Sequence, residues 1–533
     1  MSKAVHRIWY MFLVVGLSIV GGYTSVFAAP GGLIHSLKMS GFQVTQGYPK
    51  LYTFEDCIDY TYPGLKNCIL ANPAAPYVLP VVKFWPDEYV DPAMVNAVVE
   101  TAPGYGPTYH LDPREAIVIY GKMPPPGRYL GLQTFEFSEH GKWKPKDYNQ
   151  WANTPDLPFP IQYLFDTIPP DDPKSHRVIT FSALGDIVNN VVMERQSGYS
   201  FGKTRYFIIT PSATTDRAVR RAMHALGVPD INIFTEQIPS RDAYGPIGPL
   251  GLGKNAIDFL TSFRYAVPNP GYEQAAKQWR NNPPLKVLRV RAPGSLGPVQ
   301  RYGALTFEKR TAQSEASLAG GLKELVAAVC DRLGNHAGLT SKDCMQPLPV
   351  SSLMLEMTDD LGWVGPYCRG INMNCNGDQN DMAIYFSASP LSLDSGQVIA
   401  VVGTLATETG NATYVGLSAN DASMMAGVTN VLDTDVNGPD GLIKGLKGSA
   451  DSYGVQNSGK FFVHYFTEDC DVLPDSSWRE NCSSTLGVVP ALGDPALQGK
   501  FILALRDYVA PGTERGPDPK KLLTPRILTF TKP

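Results

Sequence analysis

Apolar and polar side chains alternate along residues 128–137, RYLGLQTFEF, with the period of two that marks a β-strand. Residues 116–122, AIVIYGK, are nearly all apolar and end at MPPPG, whose three prolines cannot join a ladder. This pattern predicts a hairpin over residues 115–137. Arg128 and Glu136 lie an even number of residues apart, on one face of the strand, with Gln133 on the other. They are candidates for polar chemistry, set against the plainer reading of a solvated ion pair.

The period then changes. Phe181, Leu184, Ile187, Val188, Val191 and Val192 recur at helical spacing and predict a helix over 179–196. RYFIIT at 205–210 reads as a buried strand. Residues 214–226 read as an amphipathic helix, with Asp216 in its first turn and Gly227 just past its end, and INIFT at 231–235 as a second strand. Together these form a βαβ unit and so a small parallel sheet. Ligands of such sheets sit beyond the carboxyl ends of the strands, which here are Pro211-Ser212 and Glu236-Gln237. Glu236 is the acidic candidate that this rule selects. A further helix is expected over 255–265, strands over 286–291 and 302–309, and a long helix over 312–333.

Gln346-Pro347-Leu348-Pro349 reads as a domain border, and the pattern after it is one of short strands: 383–388, 397–406, 412–417, 460–467, 501–506 and 526–530. The turn at 407–411 predicts a hairpin between the second and third of these. The expected fold is mixed α+β. An N-terminal α/β domain over 29–347, with a small βαβ sheet and long loops, is followed by an antiparallel β-rich domain over 348–533.

Residues 1–28 have the form of a leader: Lys3 and Arg7, an apolar run, then Val26-Phe27-Ala28. A secreted or periplasmic chain is expected, with no membrane span after cleavage. The formal net charge of −4, without a concentrated basic run, argues against nucleic acid as a partner. The eight cysteines fall into four close pairs, 57–68, 330–344, 368–375 and 470–482, which in an exported chain predict four local disulfides. None has the CxxC spacing of a zinc site.

The densest set of polar groups lies in residues 357–386, MTDDLGWVGPYCRGINMNCNGDQNDMAIYF. Asp378, Asn380 and Asp381 follow its two cysteines and are candidate ligands for a hard cation, calcium first. Asx turns account for the same residues without a metal. Gly198–Gly202 matches G-x-S-x-G, but a helix precedes it and a strand follows, the reverse of a nucleophile turn. Residues 248–255 imitate a phosphate loop but end in Asn255 where Ser or Thr is needed. His464 falls inside an expected strand, and Asn411 and Asn481 open glycosylation sequons.

Two functional readings follow. One is an exported hydrolase with its site between the two domains, drawing on Arg128, Glu136, Glu236, Asp378 and Asp381, with carboxylates as acid and base. The other is a non-catalytic binding protein for a small-molecule or polymeric extracellular ligand, using the 26 tyrosines and 7 tryptophans. A structural surface protein stapled by disulfides is a third. A pocket with converging carboxylates would favour the first reading, and an aromatic recess without titratable neighbours the second.

Overall fold

The structure is a computed structural model and describes residues 30–65, 68, 71–72, 74–141, 176–184, 188–242, 245–304, 309–352, 381–438, 441–484, 492 and 494–532. It is mixed α+β, rich in strands and poor in helices.

Ten strands build the larger sheet: β1 (Gln43–Leu51), β2 (Tyr77–Lys83), β3 (Glu115–Lys122), β4 (Gly127–His140), β5 (Arg177–Ala183), β6 (Val188–Asn189), β7 (Thr204–Thr210), β8 (Ile233–Gln237), β9 (Asp258–Pro268) and β10 (Leu285–Arg291). Their order is β8-β7-β3-β10-β1-β2-β9-β4-β5, with β6 also paired to β4 and two short strands at Tyr105–Gly106 and Thr108–Tyr109 attached. The sheet curls into a half-barrel, so that β8 at one edge comes against β6 near the other. Both faces are covered, which is why its strands read as continuous apolar runs. Ile117, Ile119, Phe207, Phe259, Phe263 and Val287 fill the concave side. Ala116, Val118, Ile208, Leu288 and Val290, the alternate positions, pack outward on α1 (Pro30–Met39) and α3 (Ala213–His224). Ser212 caps α3 by accepting from Thr215 N, and Ala218, Val219, Ala222 and Met223 form its buried stripe.

β7, α3 and β8 form the expected βαβ unit, with β7 and β8 parallel. Three other expectations are corrected. β3 and β4 are not a hairpin: β3 pairs with β10 and β7, whereas β4 pairs with β9, β5 and β6. A strand buried on both faces carries no local mark of its partner, so the proline turn links two strands that do not pair. Residues 179–196 divide into β5, β6 and the short α2 (Asn190–Ser197), which Asn189 caps. Residues 255–265 lie largely in β9, an eleven-residue strand rather than a helix.

Besides two short two-stranded pairs, at 241–246 and 436–443, the remaining strands form two further sheets. β11 (Met382–Ser387), β13 (Tyr414–Asp421), β14 (Ala426–Leu432) and β17 (Lys500–Tyr508) make one in the order β11-β17-β13-β14, extended by short strands at Val350–Ser351 and Leu391–Ser392. β12 (Val398–Thr404), β15 (Phe461–Thr467), β16 (Cys482–Ser484) and β18 (Arg526–Phe530) make the other, ordered β16-β15-β12-β18. Ile399, Val401, Leu417, Phe462, Leu503 and Leu505 interdigitate between them, as in a sandwich. The turn at 407–411 therefore crosses from one sheet to the other and closes no hairpin. A helix α4 (Glu273–Asn281) packs Trp279 into the first core, and α5 (Ala319–Ala337) lays Leu322, Leu325, Val329 and Leu333 on the outer face of the four-stranded sheet.

Cysteines 57 and 68, 330 and 344, and 470 and 482 are paired as disulfides; 368 and 375 lie outside the described residues. Among the described residues no helix is long and apolar enough to cross a membrane.

Candidate functional site at the junction of the sheets

The convex face of β4 and β9 carries polar groups where the rest of the sheet is apolar. Arg264 of β9 pairs with Tyr77 of β2 on one side and Gly131 of β4 on the other. Its guanidinium lies over the rings of Tyr77 and Tyr129, 5.7 and 5.4 Å from their centres. It meets Asp381, the residue before β11, at 2.7 Å, and neither side chain has any solvent exposure. The Tyr129 hydroxyl donates to the same carboxylate oxygen. Burial opposes the charge on Arg264, but Asp381 and the surrounding tyrosines outweigh it and hold the group firmly cationic. Burial also lifts the Tyr129 phenol far above its ordinary range, so it stays a donor. Beside this pair, Tyr414 and Tyr508 stack with ring centres 4.3 Å apart, and Asn72 Nδ2 donates to the Tyr508 hydroxyl at 2.8 Å.

Backbone strain gathers at the same junction. Among the described residues, five that are not glycine have positive φ. Val267 (φ 53°) and Val509 (φ 40°) share an apolar cluster with Tyr129, Tyr414 and Tyr508. Met425 (φ 53°) is buried in the turn before β14, beside Met424, which packs in one cluster with Phe181 (φ 34°), Tyr52, Cys57 and Cys68. Such conformations are unfavourable for β-branched and bulky residues and concentrate at functional sites.

Between these two clusters opens a cavity of about 310 Å³. The end of β1 (Leu51, Tyr52), Phe54, the Cys57–Cys68 disulfide, Asn72 and Tyr77 form one wall, and Ala426 and Gly427 of β14 form the other. Cys68 N donates to Met424 O at 2.7 Å and ties the walls together. Among the described residues no Asp, Glu, His, Lys or Arg lines the space. The amide of Asn72 is already engaged: Nδ2 donates to Tyr508 and Tyr414, and Oδ1 accepts from Ala74 N.

The residues singled out from sequence are placed as follows. Arg128 forms an ion pair with Asp433 across the junction, partly open to solvent. Asp381 is the buried partner of Arg264, and Asp378 and Asn380 lie outside the described residues. Glu136 is buried, and its Oε1 would lie 3.6 Å from a Cβ at Gly248. Glu236 is buried at the seam of the curled sheet. β5 pairs with β4 from Phe135 onward and β6 pairs with Gly131 and Leu132, leaving Gln133 and Thr134 in a gap. Glu236 fills it: Oε1 accepts from Thr134 N at 2.5 Å and Oε2 from Thr134 Oγ1 at 2.8 Å. Burial, only partly offset by these two bonds, pushes its pKa up to about 8. Glu236 and Glu136 thus both approach Thr134 and its neighbours, while Arg128 sits at the opposite end of β4.

The other motifs are absorbed by structure. Ser200 is fully buried and donates to Glu194 Oε1 at 2.9 Å. Asn411 is buried and donates to Glu315, so its sequon is not exposed. His464 contacts Ser483 Oγ at 2.9 Å, and burial drives its pKa down to about 3, too low for a base near neutrality. Asp258 receives His110 at 3.1 Å, Arg177 at 2.6 Å and Ser138 Oγ at 2.6 Å. The serine there addresses the carboxylate and not the imidazole, so the three do not align as nucleophile, base and orienting acid. Among the described residues no group of three or more His, Cys, Asp or Glu is arranged to hold a metal ion.

Sequence reasoning missed Arg264 and Asn72. Arg264 had a signal: a lone charge within the apolar run of residues 259–267, FLTSFRYAV. Asn72 had none.

No known family profile and no curated protein matches the chain. Among solved structures, an uncharacterised protein from Burkholderia cenocepacia aligns with 94% of this chain and 96% of its own, at 10% identity and a TM-score of 0.33. The VPA0106 protein of Vibrio parahaemolyticus aligns with 90% of this chain and 96% of its own, at 8% identity and a TM-score of 0.34. Neither likeness carries a function.

Proposed function

We propose that this is an exported binding protein that takes a small, neutral, mainly apolar ligand in the cavity at the junction of the sheets. The observation that carries the reading is the cavity's lining among the described residues: aromatic and aliphatic side chains, a disulfide, the neutral hydroxyls of Thr53, Tyr52 and Tyr77, and one amide whose donors are already used. A charged ligand entering such a space would lose its hydration and find no counter-charge among the described residues. An apolar one of matching size gains roughly 25 cal/mol for each Å² it removes from water. The volume of about 310 Å³ is at the small end of ligand pockets. Paired cysteines and the leader-like start of the chain support export.

We prefer this reading to a hydrolase because two of the carboxylates that would serve one, Asp381 and Glu236, are engaged within the fold. Asp381 is neutralised by Arg264, and Glu236 is sealed in the seam. The test is a fluorescence titration with two dyes of one shape, a neutral phenyl-naphthylamine and its sulfonated counterpart. Saturable binding of the neutral dye, at least tenfold tighter than the sulfonate, is expected. Equal binding, or preference for the anion, overturns the reading.

A further inference from the structure

The curled sheet has a seam, and one side chain closes it. Among the described residues backbone pairing leaves the Thr134 amide of β4 without a strand partner between β5 and β6, and Glu236 of the edge strand β8 takes it up. The contact continues inward as a chain of hydroxyls: Thr134 Oγ1 to Thr261 Oγ1 at 2.8 Å, and Thr261 Oγ1 to Tyr109 OH at 2.5 Å. All four residues are buried.

We propose that Glu236 is a proton-operated latch: the neutral carboxyl holds β8 against β4, and its ionisation lets this edge of the half-barrel open. Three features make the edge suited to it. Among the described residues β8 has a single hydrogen-bonded strand neighbour, β7, to which it pairs in parallel, and beyond it only side-chain bonds such as those from Gln196 and Arg220. The hydroxyl chain can reverse its donor direction, so it accommodates a proton on Glu236 without leaving the carboxyl oxygen unpaired. The ionised form needs water that the closed seam does not admit. Among the described residues the charged and titratable groups nearby do not supply a counter-charge. Tyr109, at the end of the hydroxyl chain, is kept neutral by burial. Glu136 lies two residues beyond Thr134 on β4. Arg289 reaches Tyr109 electrostatically but is paired with Glu88 and Glu115.

The sign follows from the direction of the shift. In the open state Glu236 meets water and titrates as an ordinary carboxyl near 4.5, whereas in the closed state it titrates near 8. Closure is therefore most favoured below the lower value, and weakens about tenfold per pH unit as pH rises towards the upper one.

The experiment is native-state hydrogen exchange on the full chain between pH 6 and 9, with rates corrected for the intrinsic effect of pH. The expected result is that protection of the Thr134 amide and of the β8 amides falls about tenfold per pH unit up to about pH 8 and then levels. In Glu236→Gln it stays flat, and amides of β12 in the second part show no such slope. A flat wild-type profile, an equal slope in Glu236→Gln, or the same slope at β12 overturns the latch. If Glu236→Gln does not fold, Thr134→Val serves instead. It deletes one donor to the carboxylate, so the levelling point moves to higher pH, and an unmoved point equally overturns the proposal.

Discussion

Arg264 and Asp381 lie 2.7 Å apart with no exposed surface on either side chain, one on the half-barrel and the other at the start of the six-stranded sheet. The pair joins the two parts of the molecule at their dryest point, with the rings of Tyr77 and Tyr129 around the guanidinium. Removing one partner leaves an uncompensated buried charge. Asp381→Leu or Arg264→Met alone is expected to lower stability by about 3–5 kcal/mol in urea unfolding, and the two together by much less. Additive losses in that double-mutant cycle would show that the two groups are not coupled.

His464 supplies an acid-side prediction. Burial lowers its pKa to about 3, so the native state binds fewer protons than the unfolded chain between that value and the ordinary 6.5. Its contribution is complete above the upper value and is lost as pH falls, by about 1.4 kcal/mol per unit. Replacing His464 by Phe should flatten the stability profile between pH 6 and 4, measured by denaturant titration at each pH. An unchanged slope would show that other groups carry the acid sensitivity.

Asp507 is a buried acid with no cation pairing it among the described residues. Burial first, then Glu315 and Asp433, lift its pKa well above the usual carboxylate range. Being protonated in the fold, it opposes stability increasingly as pH rises. Asp507→Asn keeps the shape without the titration. It should be near neutral at pH 5 and stabilising at pH 8 in thermal unfolding, and a loss at both values would contradict this.

The Cys330–Cys344 bridge, 14 residues apart in sequence, fastens the last turns of α5. Replacing both cysteines by Ser should cost about 3 kcal/mol in equilibrium unfolding while leaving the cavity's ligand binding unchanged, because the bridge acts chiefly on the unfolded chain.

What the sequence made legible was local. The βαβ unit was readable because α3 has an amphipathic stripe, Asp216 in its first turn and Gly227 past its end, between two apolar runs. Three disulfide pairs were readable from proximity. Strand partners were not. β3 and β4 read as a hairpin because a proline turn separates two apolar runs, yet both faces of β3 are buried and its partners come from residues 204–210 and 285–291. β9 read as a helix because burial on both faces erases the period of two. The site was less legible still. Its walls come from the segments around residues 51–77 and 426–427, which nothing in the sequence brings together. Glu236 was selected by the strand-end rule and does lie there, but the curl of the sheet turns that end into a seam, and the carboxyl into part of its closure.

The central claim is that the cavity itself is the binding site, and filling it tests this most directly. Ala71 lines the space and is only partly buried, so Ala71→Leu adds bulk to the wall without disturbing a strand. The account predicts that the neutral dye loses at least tenfold in affinity for this variant, with the unfolding midpoint within a few degrees of wild type. A folded Ala71→Leu protein that binds the dye as tightly as wild type would contradict it.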